Sequence, residues 1–213
     1  MRNFYKNIDL NKVVEPYQNA FAGWPWFEVS KCEGKESQRC NGGFSPGAVG
    51  EDCAMCTRKL QRPAYEPEEV MAKFQKFEEL YDALWYLEEV DDRVALACFG
   101  FRATAKQIFN ERYKDVLAME QWLINAVGDE EIVWLDEVFA DKTVRESGNL
   151  NGFAPMVSGL ASQLQLGRVA YRTINPAMLR VPERDFGDGA KTFVREIEVP
   201  DRRDFITINV SGE

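Results

Sequence analysis

Apolar residues recur at Leu10, Val13, Val14, Tyr17 and Phe21, the spacing of one helical face, with Asp9 placed to cap it. A second run, Val70, Phe74, Phe77, Tyr81 and Leu84, follows Glu66-Pro67-Glu68-Glu69, an acidic and proline-bearing first turn. It predicts a helix reaching residue 89 or so. A third helix is read over 111–127, closed by Gly128. A fourth covers 151–164, with Leu150, Phe153, Ala154, Val157, Leu160, Ala161 and Leu164 as its stripe. Apolar and aromatic runs predict strands at 4–8, 93–104, 132–139 and 169–174. Pro176 starts a short helix to Leu179, and 193–199 with 205–210 read as a final hairpin. The order is mixed, without the regular alternation of a doubly wound sheet. The fold class expected is α/β (α+β): one domain over 1–213, with a mixed central sheet flanked by helices.

The periodicity lapses between residues 30 and 62. There Cys32, Cys40, Cys53 and Cys56 follow the pattern C-x7-C-x12-C-x2-C, among Gly34, Gly42, Gly43, Pro46, Gly47 and Gly50. Such a segment cannot build a hydrophobic core, and four thiolates around a structural zinc ion supply the missing cross-link. Two disulfides, or a redox-active Cys53-Ala54-Met55-Cys56, are the competing readings. Four sulfur ligands leave zinc no open position, so this metal is expected to be structural. Cys98, inside Val94-Ala95-Leu96-Ala97-Cys98-Phe99, reads as a buried strand residue.

Composition narrows the chemistry. Hydrophobic residues make up 45% of the 213, which marks a globular chain. No apolar run approaches the roughly 18 residues that span a membrane. The first residues carry no apolar stretch of the signal-peptide kind, so a cytoplasmic protein is expected. The formal charge of −9 repels phosphate backbones and argues against nucleic acid, a small basic cluster at Arg58, Lys59 and Arg62 notwithstanding. The same balance suits a cationic partner. There is no histidine, so any proton transfer falls to Asp, Glu, Tyr, Cys, Lys or water.

Residues 132–178 resemble the GNAT family of N-acetyltransferases. The likeness is carried by Trp134-Leu135-Asp136-Glu137-Val138-Phe139-Ala140-Asp141, then Arg145-Glu146-Ser147-Gly148-Asn149-Leu150, then Val169-Ala170-Tyr171-Arg172-Thr173-Ile174 and Asn175-Pro176-Ala177-Met178. Ala20-Phe21-Ala22-Gly23-Trp24-Pro25-Trp26 is similar to the end of the family's first helix and its substrate loop. The resemblance implies acetyl-coenzyme A, bound by Val138, Phe139, Arg145, Gly148, Asn149, Leu150, Asn151 and Gly152. It implies Glu137 as general base with Asp136 second, and Asn175 near the thioester. Strand alternation lets only one of the two carboxylates face the cleft. Trp24, Trp26 and Phe27 would line the acceptor site, and the strands at 132–139 and 169–174 would be parallel neighbours splayed at one end. The physics of the loop agrees: Gly148 gives close approach, and Pro155 fits only within a first helical turn, whose free N–H groups suit a pyrophosphate. The function implied is acetyl transfer to an amine of a small molecule or protein. Leu150 stands where the family has a small residue, and no tyrosine follows Met178 at the family's spacing. The second reading is therefore a catalytically silent protein of this fold that binds another protein through its zinc loop and acidic surface.

Overall fold

A computed structural model describes residues 3–23, 26–34, 43–114, 118–141, 152–173, 175–193 and 204–210. A central sheet of seven strands is built from β1 (Asn3–Tyr5), β5 (Ala83–Val90), β6 (Arg93–Ala103), β7 (Ile132–Ala140), β8 (Arg168–Thr173), β9 (Ala190–Phe193) and β10 (Asp204–Asn209). Its order is β1-β5-β6-β7-β8-β10-β9. Every neighbouring pair is antiparallel except β7 and β8, which are parallel. On one face lie α1 (Asn11–Ala22), α2 (Pro67–Leu80), α3 (Ala105–Arg112) and α4 (Ala118–Val127). On the other lie α5 (Phe153–Leu164), which crosses from β7 to β8, and α6 (Pro176–Phe186). Between α1 and α2 a small second sheet joins β2 (Ser30–Cys32), β3 (Gly43–Ser45) and β4 (Arg62–Pro63) in the order β3-β2-β4.

The fold class is the one expected, with corrections to its elements. The helix read to residue 89 stops at Leu80, and 83–90 form β5. Ala83, Trp85 and Leu87 enter one core layer while Leu84 and Tyr86 enter the other. A strand buried on both faces is apolar at every position, so it extended the helical stripe by coincidence of spacing. The turn into β6 places Asp91 and Asp92 at φ 51° and 61°, the two positive values a tight two-residue hairpin needs. The helix read over 111–127 is two helices, and the first begins earlier, at a Thr104–Gln107 capping box. Finally α6 runs to Phe186, well past Leu179. A hairpin of β9 and β10 is present, but its first strand is Ala190–Phe193, earlier than the expected 193–199, of which 194–199 lie outside the described residues.

The parallel pair dictates the rest of the layout. Pairing of β7 with β8 covers only Val133–Leu135 against Val169–Tyr171, although β7 continues to Ala140 and β8 to Thr173. The strands therefore part at their C-terminal ends, as the sequence led us to expect. The start of α5 stands above this side of the sheet, its Gly152 packed against Leu96 and Glu88.

Packing of β1 onto α5 depends on a glycine. A Cβ built at Gly159 would lie 2.3 Å from Phe4 Cζ. Gly159→Ala gains about 1 kcal/mol of helix propensity and costs about 1–3 kcal/mol in overpacking. We expect a net loss of stability in urea denaturation for Gly159→Ala, and a gain when the same change is made on a Phe4→Ala background.

Candidate active site at the parting of two strands

The cleft forms where β7 leaves β8. Glu137 pairs across to Phe99 while Leu135 pairs to the next residue, Gly100, so Asp136 is an extra residue without a partner on β6: a β-bulge. Gly100 makes room for it, since a Cβ there would meet Leu135 Cδ2 at 3.1 Å and the Trp134 carbonyl at 3.3 Å. The bulge cancels the alternation of side chains. Asp136 and Glu137 both turn toward α1, α2 and α3, against the alternation expected of a regular strand, and Glu137 is the more open of the two. Both carboxylates meet Lys73 of α2. Its ammonium donates to Glu137 Oε1 and lies 3.6 Å from Asp136 Oδ2.

The second carboxylate is deeply enclosed. Arg112 of α3 donates to Asp136 Oδ1, as does the Trp134 indole N–H at 3.2 Å. Burial would raise the Asp136 carboxyl, but Lys73 and then Arg112 outweigh it and hold it at about 2, below the ordinary 3.8. Glu137 is more open. Its Oε1 takes the Lys73 ammonium and the Tyr17 hydroxyl, the latter at 3.3 Å. All its contacts among the described residues run through Oε1, so Oε2 is the oxygen left for the cleft. Burial, then the charge of Glu137, push the Tyr17 hydroxyl well above its ordinary value, so it stays protonated. Lys73 Nζ also lies 5.4 Å from the ring centres of Tyr17 and Phe74.

The cleft itself holds about 60 Å³ and is lined by Asp136, Glu137, Trp26, Arg172 and Asn175 together with Phe21 and Met178. Val138 lines it too, whereas Phe139 packs in the core beside Tyr17. Asn175 sits at the entry to α6, its N–H donating to Thr173 Oγ1 at 3.0 Å. Tyr171 lines the same cleft; its hydroxyl donates to the Met178 carbonyl at 2.7 Å, and burial pushes it up. Phe27 is about half exposed, with φ at 51°. Gly152 abuts the exposed Glu88, whose carboxylate takes the Tyr86 hydroxyl. Arg145, Gly148, Asn149, Leu150 and Asn151 lie outside the described residues, as do Trp24 and Cys40.

Sequence reasoning missed Lys73, Tyr17 and Arg112. Lys73 did leave a signal: it stands three after Val70 and four before Phe77, a charge within the apolar stripe of α2. The Arg58–Lys59–Arg62 cluster is largely offset, since Lys59 pairs with Asp52 and Arg62 with Glu33 and Glu69.

Beside the small sheet the sulfurs of Cys32, in β2, and of Cys53 and Cys56, between β3 and β4, all lie within 4.8 Å of one another, with Cys32 and Cys56 at 3.5 Å. Backbone N–H groups of Met55 and Cys56 lower the Cys53 thiol to about 7. The module is bolted to the cleft wall: Gln18 donates to the Tyr65 carbonyl at 2.6 Å, and the Tyr65 ring packs on Tyr17, Phe21 and Phe44. Cys98 is fully buried in β6, as expected.

No family model and no curated protein sequence matches the chain. Solved structures do resemble it. An N-acetyltransferase from Staphylococcus aureus has a TM-score of 0.48 at 12% identity, covering 99% of both chains. Arylalkylamine N-acetyltransferase 2 from Aedes aegypti has a TM-score of 0.49 at 10% identity, again over 99% of both. A CoA-dependent acyl-homoserine lactone synthase has a TM-score of 0.43 at 15% identity; the match covers 61% of this chain and spans 59% of the synthase. All three scores lie below 0.5, so the reading of the cleft rests on its own geometry. Among the described residues no helix is long and apolar enough to cross a membrane.

The buried pair sets a pH dependence. A carboxyl depressed on folding stabilises the protein above its ordinary value near 3.8 and loses that contribution as pH falls toward 2. Asp136→Asn leaves Arg112 and Lys73 facing a neutral amide. At pH 7 it should cost about 3–5 kcal/mol in urea denaturation, and the deficit relative to wild type should shrink between pH 4 and pH 2.

Proposed function

We propose that the chain is an acetyl-coenzyme A-dependent N-acetyltransferase acting on an amine. The observation that carries this reading is the parting of β7 and β8 beside a bulge that presents two carboxylates. Beyond Leu135 the β7 edge facing β8 has no ladder partner among the described residues, so its peptide groups can pair with the amides of a pantetheine arm beside Val138 and Phe139. The diphosphate is assigned to the segment 145–152 leading into α5. Among the described residues Gly152 caps that helix without a side-chain hydrogen bond, and the N–H groups of a first helical turn, here from Phe153 on, have no acceptor within the helix itself. Glu88 beside Gly152 must turn toward solvent to admit an anion.

In this reading Glu137 accepts a proton through Oε2 from the acceptor ammonium, and the neutral amine attacks the thioester carbonyl. Asp136, held ionised by Lys73 and Arg112, fixes those two cations beside Glu137 without titrating. Asn175, at the mouth of the splay, stands where it can orient the thioester. Trp26 and Phe21 supply an apolar wall for the acceptor. Calorimetry with acetyl-coenzyme A should give a saturable heat for wild type and Glu137→Gln alike, while Glu137→Gln slows transfer by about 100-fold or more. No heat at millimolar ligand would remove the enzyme reading. The binding-protein reading would then stand, supported by Phe44 and Met55 exposed on the cysteine module.

We also assign a structural zinc ion to Cys32, Cys53 and Cys56, with Cys40 as fourth ligand. Zinc–sulfur bonds of about 2.3 Å in a tetrahedron put sulfurs about 3.8 Å apart, close to the spacing of the three sulfurs here. Zinc would supply the cross-link that the two- and three-residue strands of the small sheet lack. Elemental analysis of protein purified without chelator should find one zinc per chain, and none after Cys53→Ser; metal-free wild type would contradict the assignment.

A further inference from the structure

We propose that Lys73 is itself an acyl acceptor, so that the protein acetylates its own α2. The inference rests on the reading of Glu137 and acetyl-coenzyme A given above, and deepens it by naming a first acceptor. An acceptor ammonium must lie within hydrogen-bond reach of the base that deprotonates it. Lys73 already meets that condition, since its Nζ donates directly to Glu137, a residue of the cleft.

The surroundings of Nζ are those of a recognition site for a primary ammonium. Two carboxylates, one phenol oxygen at 3.3 Å and two aromatic rings converge on it from β7, α1 and α2. Other lysines of the chain pair at the surface: Lys6 with Asp82, Lys12 with Glu89, Lys59 with Asp52 and Lys76 with Glu111. Their side chains are 53–71% exposed, against 25% for Lys73. Lys73 is thus accessible, yet it is the poorest target of this set for an unassisted reagent.

The step balances without an added reactant. The Lys73 ammonium gives one proton to Glu137, and its lone pair forms a C–N bond to the thioester carbonyl. The C–S bond breaks, and coenzyme A leaves as a thiolate that takes up a proton. The nitrogen sheds its second proton to water. The product is a neutral amide at Lys73, and the positive charge that the two carboxylates share is gone. Asp136 and Glu137 then keep Arg112 and the cleft residue Arg172 as cationic neighbours, and Lys73 no longer competes with an external amine for Glu137 as proton acceptor. Self-acylation in this scheme removes an internal competitor for the acceptor position.

The test is site-resolved mass spectrometry of the full-length protein incubated with acetyl-coenzyme A, paired with calorimetry on the same preparation. Acetic acid N-hydroxysuccinimide ester, applied separately, gives the unassisted order of lysine reactivity, in which Lys6 and Lys59 should precede Lys73. With acetyl-coenzyme A the order should invert, Lys73 being acetylated first, and Glu137→Gln should slow that site by about 100-fold or more while leaving Lys6 and Lys59 unchanged. The inversion is measured on wild type, so it holds even where a variant folds poorly. Saturable binding heat with Lys73 acetylated no faster than Lys6 overturns self-acylation and leaves the proposed activity standing. Absence of binding heat overturns both.

Discussion

One inserted residue organises the site. Asp136 has no partner on β6, and because of it two consecutive carboxylates leave the same side of a strand. Two like charges so close require cations, and the helices on that face supply them: Lys73 from α2 and Arg112 from α3. The positions of α2 and α3 over the sheet are thus tied to the bulge by charge as well as by packing of Phe74, Phe77 and Ile108. Replacing either carboxylate disturbs the arrangement that holds the other. Gly100 belongs to the same device, since a larger residue opposite the bulge would press on Leu135 and the Trp134 carbonyl.

Much of the fold is legible in the chain because its signals are local. The stripe of α5, the apolar run of β7 and the segment of β8 mark a crossover unit, and parallel pairing follows from its length. β5 was illegible because Ala83, Leu84, Trp85, Tyr86 and Leu87 fill both core layers, leaving no alternation to read. The split between α3 and α4 was hidden because Ile108 and Phe109 pack as well as Met119 and Leu123. The site was half legible. Asp136, Glu137 and Asn175 stand on the predicted elements and line one cleft. Their partners Lys73 and Tyr17 lie 64 and 120 residues from Glu137 in the chain, and only the packing of α1 and α2 on the sheet brings them together. The bulge itself is a property of register between two strands, which no single segment announces.

The long excursion between α1 and α2 has a physical role whichever chemistry the cleft performs. It leaves α1 past Trp26, which lines the cleft, and returns at Tyr65, which packs on Tyr17 behind Glu137. Its strands are two or three residues long, and its described core is Cys32, Cys53 and Leu60 with Cys56. So small a core needs a cross-link to hold its shape. With the proposed zinc bound, the cysteines would give one wall of the cleft its rigidity.

In the proposed function, the edge of β7 that has no ladder partner among the described residues and the start of α5 together receive one extended ligand. Hydrogen–deuterium exchange with and without acetyl-coenzyme A tests it peptide by peptide. Slowed exchange is expected in two stretches, residues 136–140 of β7 and the segment entering α5 at Gly152, with β1 and β9 unchanged. Protection confined to the cysteine module, or spread evenly over the sheet with neither stretch favoured, would contradict it.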